Sequence, residues 1–240
     1  MSTDISFTKE NIDRYLKELA KEFRRLNGNK MPAEIVLVGG ASILANYGFR
    51  EMTYDMDAII QATSAMKEAI NHVSDSFGLP NGWLNTDFAR TKSYSPKLIQ
   101  YSTYYKKFSN ILTIRTVFAE YLIAMKLMSG RKYKSDLSDV IGILREHEKR
   151  GKSISMGQIK TAIIALYGSF ETIPKDSADF LEGVMASGDL ETMYQQYRKE
   201  EQDSKTVLLD FEKQYPGVTT EDNIEDILKA AKARKKQTDR

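Results

Sequence analysis

The chain has 240 residues, 41% of them hydrophobic and 28% charged, which suits one fairly large globular domain or two smaller ones sharing an interface. With 35 Lys and Arg against 33 Asp and Glu, no overall positive field can gather nucleic acid or a membrane surface, so any polyanion site must be local. Cysteine is absent, which excludes disulfides and thiolate metal sites, and two histidines, His72 and His147, argue against a His-rich zinc centre.

The opening MSTDISFTKENIDRYLKEL has acidic residues and no apolar signal core, and no later apolar run is long enough to span a bilayer. The expectation is a cytoplasmic protein with no membrane partner. Thr8 is placed to cap a helix whose apolar residues Ile12, Tyr15, Leu16, Leu19, Phe23 and Leu26 recur at three and four and stop at Gly28. After Pro32, IVLV reads as a short buried strand, ASILANY as a short helix ending at Gly48, and YDMDAII as a second strand. Residues 64–77 are helical by pattern, with Gly78 and Pro80 ending them, and PKLIQYSTYY and NILTIRTV read as later strands rich in β-branched and aromatic residues. From Phe118 the pattern turns wholly helical, with helices near 118–129, 136–149, 155–167, 177–186, 189–213 and 221–236. The expected fold class is therefore α/β (α+β): an α/β part over 1–117 and a helical region over 118–240.

Two features have no purpose in a strand that only fills a core. Gly39-Gly40, between strand and helix, exposes backbone N–H groups at the positive end of a helix with no Cβ to block approach, which favours phosphate. A tight turn needs glycines for steric reasons too, so this feature alone does not discriminate. Asp55 and Asp57 do, because residues two apart on a strand project from one face, about 6 to 7 Å apart. Side-by-side carboxylates repel unless a cation lies between them, which fits magnesium or manganese bridging to phosphate oxygens. The plainer alternative is a strand end whose acids pair with Arg50 or a nearby lysine.

The stretch LVGGASILANYGFREMTYDMDAI resembles the signature of the nucleotidyltransferase superfamily with the DNA polymerase beta-like fold: Gly, Gly or Ser, a short helix, then Asp-apolar-Asp. Arg50 and Thr53, then WLN at Trp83 to Asn85 and EYLIAMKLMSGRKYKSDLSDV at Glu120 to Val140, make it similar to an uncharacterised bacterial branch near the AbiEii-type toxins, over about Ile35 to Leu144. The resemblance implies that Gly39 and Gly40 form the phosphate turn, with Ser42 the nearest hydroxyl to replace a serine many members carry at Gly40. It implies that Asp55 and Asp57 hold magnesium or manganese and form the catalytic pair, with Thr53 in support. Many members place a third carboxylate on a later strand; ILTIRTV has none, and Asp87, Glu120 and Asp136 are the replacements at hand.

The helix FAEYLIAMKLMSG is apolar nearly all round, yet carries Lys126, and a buried lysine needs a partner. Lys126 and Arg131 could contact nucleotide phosphates, as the resemblance implies, or could be held in an internal network by Asp136 and Asp139; the two are compatible. Other features read plainly. YYKKFSN fits an outer strand or hairpin, the basic tail KAAKARKKQTDR a solvated helix end, and His72 a surface or partly packed histidine with no acid in evident register.

The function implied is metal-dependent transfer of a nucleoside monophosphate from a nucleoside triphosphate to an acceptor hydroxyl. Arg50, Lys126 and Arg131 would offset phosphate charge. The toxin branch implies an RNA end or a protein as acceptor and a cognate antitoxin as partner. A catalytically silent nucleotide-binding regulator would keep the turn and the aspartates without the base, and a structural interaction protein would use the same residues as ion pairs.

Overall fold

The computed structural model describes residues 5–28, 31–220 and 223–238, with side chains described as far as residue 231. The first four residues of the stretch read as lacking a signal core, and most of the basic tail's side chains, lie outside the described residues.

Strand β1 (Phe7–Thr8) leads by a turn into helix α1 (Ile12–Asn27). Thr8 does not cap this helix: it belongs to β1, and its N–H donates to Asn11 Oδ1, so the helix starts three residues later than the sequence suggests. The expected stop is found, with Gly28 left-handed at φ 60°. Strand β2 (Ala33–Leu37) runs into α2 (Gly39–Asn46), which begins at the Gly-Gly pair itself, two residues before the predicted ASILANY. Then come β3 (Met52–Thr53), β4 (Met56–Gln61), α3 (Ala65–Phe77) and the two-residue β5 (Leu84–Asn85).

The predicted strand PKLIQYSTYY is split, because Pro96–Ile99 forms a 3-10 turn and only β6 (Ser102–Phe108) is extended. Proline at the start of a turn presets its φ and supplies no N–H for a sheet. β6 and β7 (Leu112–Val117) form a hairpin through Ser109 and Asn110, both at positive φ, and β6 is an outer strand as YYKKFSN suggested.

The main sheet has order β5-β4-β2-β7-β6, with β2 antiparallel to β4 and parallel to β7. Both its faces are covered, which is why IVLV is apolar without alternation. Ile35 and Leu37 face a core built with α1 and α3, and Val36 and Val38 face a second core with the C-terminal helices; all four are fully buried. That second core runs across Phe118, joining Val36, Ile43 and Leu98 to the helices beyond.

The helical region follows as α4 (Ala119–Ser129), α5 (Asp136–Lys149), α6 (Met156–Tyr167), α7 (Lys175–Ser187), α8 (Leu190–Gln214) and α9 (Ile224–Thr238). α4 is buried around most of its circumference, packed against α5, α6 and α7, as its all-round apolar sequence requires. The fold is thus α+β, a small mixed sheet followed by helices. No helix among the described residues is long and apolar enough to cross a membrane.

Candidate functional site

Parallel β2 and β7 end on one side of the sheet, and antiparallel β4 begins there, so the Gly-Gly turn and the aspartates meet. The Val38 N–H donates to the Asp57 carbonyl at 3.0 Å, fastening the turn to the head of β4. Gly39 takes φ +52°, a conformation costly for any residue with a Cβ, and an ideal Cβ there would lie 3.9 Å from Asp57 Oδ2. No side chain caps α2, which leaves its first-turn N–H groups facing this corner.

Gly40 has a second reason to lack a side chain. An ideal Cβ would come within 2.9 Å of both Arg50 Nη2 and Thr53 Oγ1. The absent Cβ is the space the guanidinium occupies, so the serine common at this place in the superfamily would collide with Arg50. Ser42 cannot stand in for that serine in this arrangement. It is fully buried, and its hydroxyl accepts the Val117 N–H at 3.1 Å, tying α2 to the end of β7.

Asp57 is the second residue of β4, and Asp55 lies just before the strand, exposed. Thr53 Oγ1 donates to the Asp55 carbonyl at 3.1 Å and reaches its carboxylate at 3.4 Å. Burial, and then the charge of Asp55, push the Asp57 carboxyl up to about 6, while Lys134, Arg131 and Lys126 pull it back. The pair is therefore short of positive charge. Two hard oxygen donors suit magnesium or manganese. No cage of three or more His, Cys, Asp or Glu exists among the described residues, so a cation here would take its remaining oxygens from other kinds of group: backbone carbonyls, water or phosphate.

Behind the pair lies an ion network. Lys126, 8% exposed, sends Nζ to Asp136 Oδ1 at 2.8 Å and to Asp139 Oδ2 at 2.9 Å. Arg131 Nε meets Asp136 Oδ2 at 2.8 Å, and Arg50 pairs with Asp139. Burial favours a neutral lysine, but Asp136 and Asp139 overrule it and hold Lys126 above its ordinary pKa. Burial likewise opposes the charge on Asp136, and Lys126 and Arg131 hold it well below the usual carboxylate range.

Ion pairs join Arg50, Asp139, Lys126, Asp136 and Arg131 in one chain, Arg50 and Thr53 crowd the space beside Gly40, and the charges of Arg131, Lys126 and Asp55 are felt at Asp57. Of the residues singled out for phosphate or metal, Gly39, Gly40, Arg50, Thr53, Asp55, Asp57, Lys126, Arg131, Asp136 and Asp139 gather at this corner or in the network behind it, and Ser42 faces the sheet. Of the three carboxylates offered as a third acid, Asp136 is inside the network, Asp87 is exposed in a 3-10 turn, and Glu120 lies in the first turn of α4, where its charge bears on Tyr47 and Tyr121.

Two neighbours escaped the sequence reading. Lys134 acts on Asp57 from the α4–α5 loop; its position two residues before Asp136, in the same basic run as Arg131, was the available signal. Asn85 of β5 pairs directly with Asp57, so an amide stands abreast of the aspartate on the neighbouring strand. Both ends of that amide are used locally, by the Gly82 carbonyl and the Asp87 N–H. Away from the site, His72 has two acids: Glu68, four residues earlier on its own helix and so in register after all, lies 3.8 Å from its Nε2, and Glu22 of α1 meets its Nδ1 at 2.6 Å, a contact between helices that no sequence register reveals.

No curated protein and no solved structure matches the chain. A family model described as a nucleotidyltransferase of unknown function (DUF6036) matches residues 14–163, from within α1 into α6 and including the Gly-Gly turn, both aspartates and the ion network. The chain belongs to this nucleotidyltransferase family.

Proposed function

We propose that the chain is a metal-dependent nucleotidyltransferase that moves a nucleoside monophosphate from a nucleoside triphosphate to an acceptor hydroxyl. The observation that carries this is the charge-deficient Asp55–Asp57 pair set against the Gly39 turn. Magnesium or manganese, when bound, would polarise phosphate oxygens and offset their charge. Asp55 and Asp57 hold the cation, and the N–H groups at Gly39 and Gly40 face the triphosphate. Arg131 and Lys134 bring positive charge to the same corner as the acceptor attacks the α-phosphorus and pyrophosphate leaves. Arg50 lends charge to the turn from its place against Gly40, and Lys126 aligns the two carboxylates that hold Arg50 and Arg131.

Incubation with each labelled triphosphate, magnesium or manganese, and separately total RNA or total cell protein tests this and assigns the acceptor. A labelled RNA end or protein, lost in Asp55→Asn/Asp57→Asn, supports the proposal and the analogy to toxins with a cognate antitoxin. Unchanged nucleotide binding and a more stable fold in the double variant would show that the pair offers only repulsion.

A second reading, a nucleotide-binding regulator without turnover, is favoured by Asn85. At the point on the next strand closest to Asp57 there is an amide that cannot take a proton from a hydroxyl. Metal-dependent binding without transfer to any acceptor would select it.

A further inference from the structure

Away from the Asp55–Asp57 corner, a cavity of ≈ 490 Å³ opens between the start of α5, α7 and α8. Its apolar wall is the edge-to-face pair Phe180 and Tyr197, with ring centroids 5.0 Å apart at 72°. Its mouth carries three acids and one lysine: Asp176 is paired with Lys132, which also lines the cavity, at 2.8 Å, Asp179 with Lys175 at 2.7 Å, and Glu200, exposed, accepts from Gln196 Nε2 at 3.0 Å. Glu201 of α8 also lines it, only 6% exposed. Its Oε1 accepts the N–H groups of Leu137 and Ser138 at 2.9 and 3.2 Å, which anchors the first turn of α5. Its Oε2 is buried and has no hydrogen-bond partner among the described residues.

We propose that this cavity binds a cationic alkyl nitrogen, a primary ammonium or guanidinium at the end of an aliphatic chain, with the Glu201 carboxylate as its inner acceptor once a turn of the side chain brings Oε2, closed to solvent in the ligand-free protein, into the cavity. The argument is one of matching. A buried carboxylate oxygen left without a donor is costly, and a nitrogen cation supplies both the donor and the charge. Asp179 and Glu200 draw such a cation to the mouth, and Phe180 and Tyr197 offer ring faces to its stem and charge. An anion would meet the carboxylates, and a neutral apolar ligand would leave Oε2 as it is. Burial pushes the Glu201 carboxyl up to about 7 against the pull of the Ser138 hydroxyl and the Ser138 and Leu137 N–H groups, and the nearby Asp139 charge adds to the rise. The two sources of this chemistry are a free diamine and a lysine or arginine side chain of another polypeptide. The inference is independent of nucleotidyl transfer.

The test is titration of the full chain with putrescine, agmatine and acetyl-Gly-Arg-Gly-amide, and with 1,4-butanediol as the neutral counterpart, in a buffer free of amines. Binding is read by calorimetry and by the amide shifts of Leu137 and Ser138. At least one cation should bind and move both amides, and butanediol should not. Response to the peptide alone assigns a polypeptide source; response to the diamines alone assigns a small amine. Glu201→Gln, which keeps an acceptor for the two N–H groups, should weaken binding by about 30-fold or more. Glu200→Gln and Asp179→Asn, at exposed positions where the fold is not at risk, should each weaken it by about 2- to 5-fold. Equal response to butanediol, no response to any cation, or full affinity in a folded Glu201→Gln or in both mouth variants would overturn the proposal.

Discussion

Lys126 gives the most decisive test of how the site is built, because a lysine that serves the fold and one that serves phosphate respond oppositely to removal. The structure has Nζ between Asp136, fully buried, and Asp139, 3% exposed. Lys126→Met keeps most of the aliphatic stem and deletes the charge. Removing one partner from a buried ion pair costs about 3 to 5 kcal/mol, since the carboxylate stays behind uncompensated. Here Asp136 keeps Arg131 and Asp139 keeps Arg50, so the loss belongs at the low end, about 3 kcal/mol. For a chain of this size that is a fall in Tm of about 6 to 12 °C. Urea or thermal unfolding of the ligand-free protein measures it. Unaltered stability of the empty Met variant, combined with loss of the thermal shift produced by nucleotide and magnesium, would refute the reasoning and turn Lys126 toward the ligand.

Three other outcomes follow from the same geometry. In Gly142→Ala the new Cβ would lie 2.5 Å from the Phe49 ring, displacing the residue next to Arg50; a loss of about 1 to 3 kcal/mol and weakened triphosphate binding are expected, and normal binding by the folded variant would separate Phe49 from the site. Gly40→Ala should push Arg50 and Thr53 aside and weaken triphosphate binding far more than nucleoside binding, as calorimetry with both ligands would show; equal losses would leave the glycine a role in the turn alone. Glu201 makes stability depend on pH: its folded pKa, raised from 4.5 to about 7, means the native state holds the proton longer, so its contribution is full below about 4.5 and is lost as pH rises through about 7. The loss approaches about 3 kcal/mol, and a urea-midpoint profile of Glu201→Gln that falls as steeply as the parent's over this window would contradict it.

The chemistry-bearing stretch was legible because its constraints are local. A strand that must stop at a glycine pair, and two acids one residue apart, announce themselves without knowledge of the rest of the chain, and the resemblance they carry agrees with the family the chain belongs to. Helices α4 to α8 were legible for the same reason: their apolar periodicity and their glycine and proline stops are properties of neighbours in sequence. What the residues around the aspartates do for one another was not, because it is settled by partners far along the chain. Arg50 finds Asp139 across 89 positions, and Glu201 finds the start of α5 across 63 or 64. Strand order decides the rest. Nothing in WLN says that Asn85 will pair with Asp57, yet that pairing stands an amide on the strand beside the second aspartate. The motif by itself is compatible with the proposed transferase and with the silent binder, and the residue beside the second aspartate is where the two readings can be set against each other. An Asn85→Asp variant places that choice in one side chain: if Asn85 is what withholds the base, metal-dependent transfer should rise in the variant while nucleotide affinity changes little, and if transfer falls instead, the amide belongs to a working site.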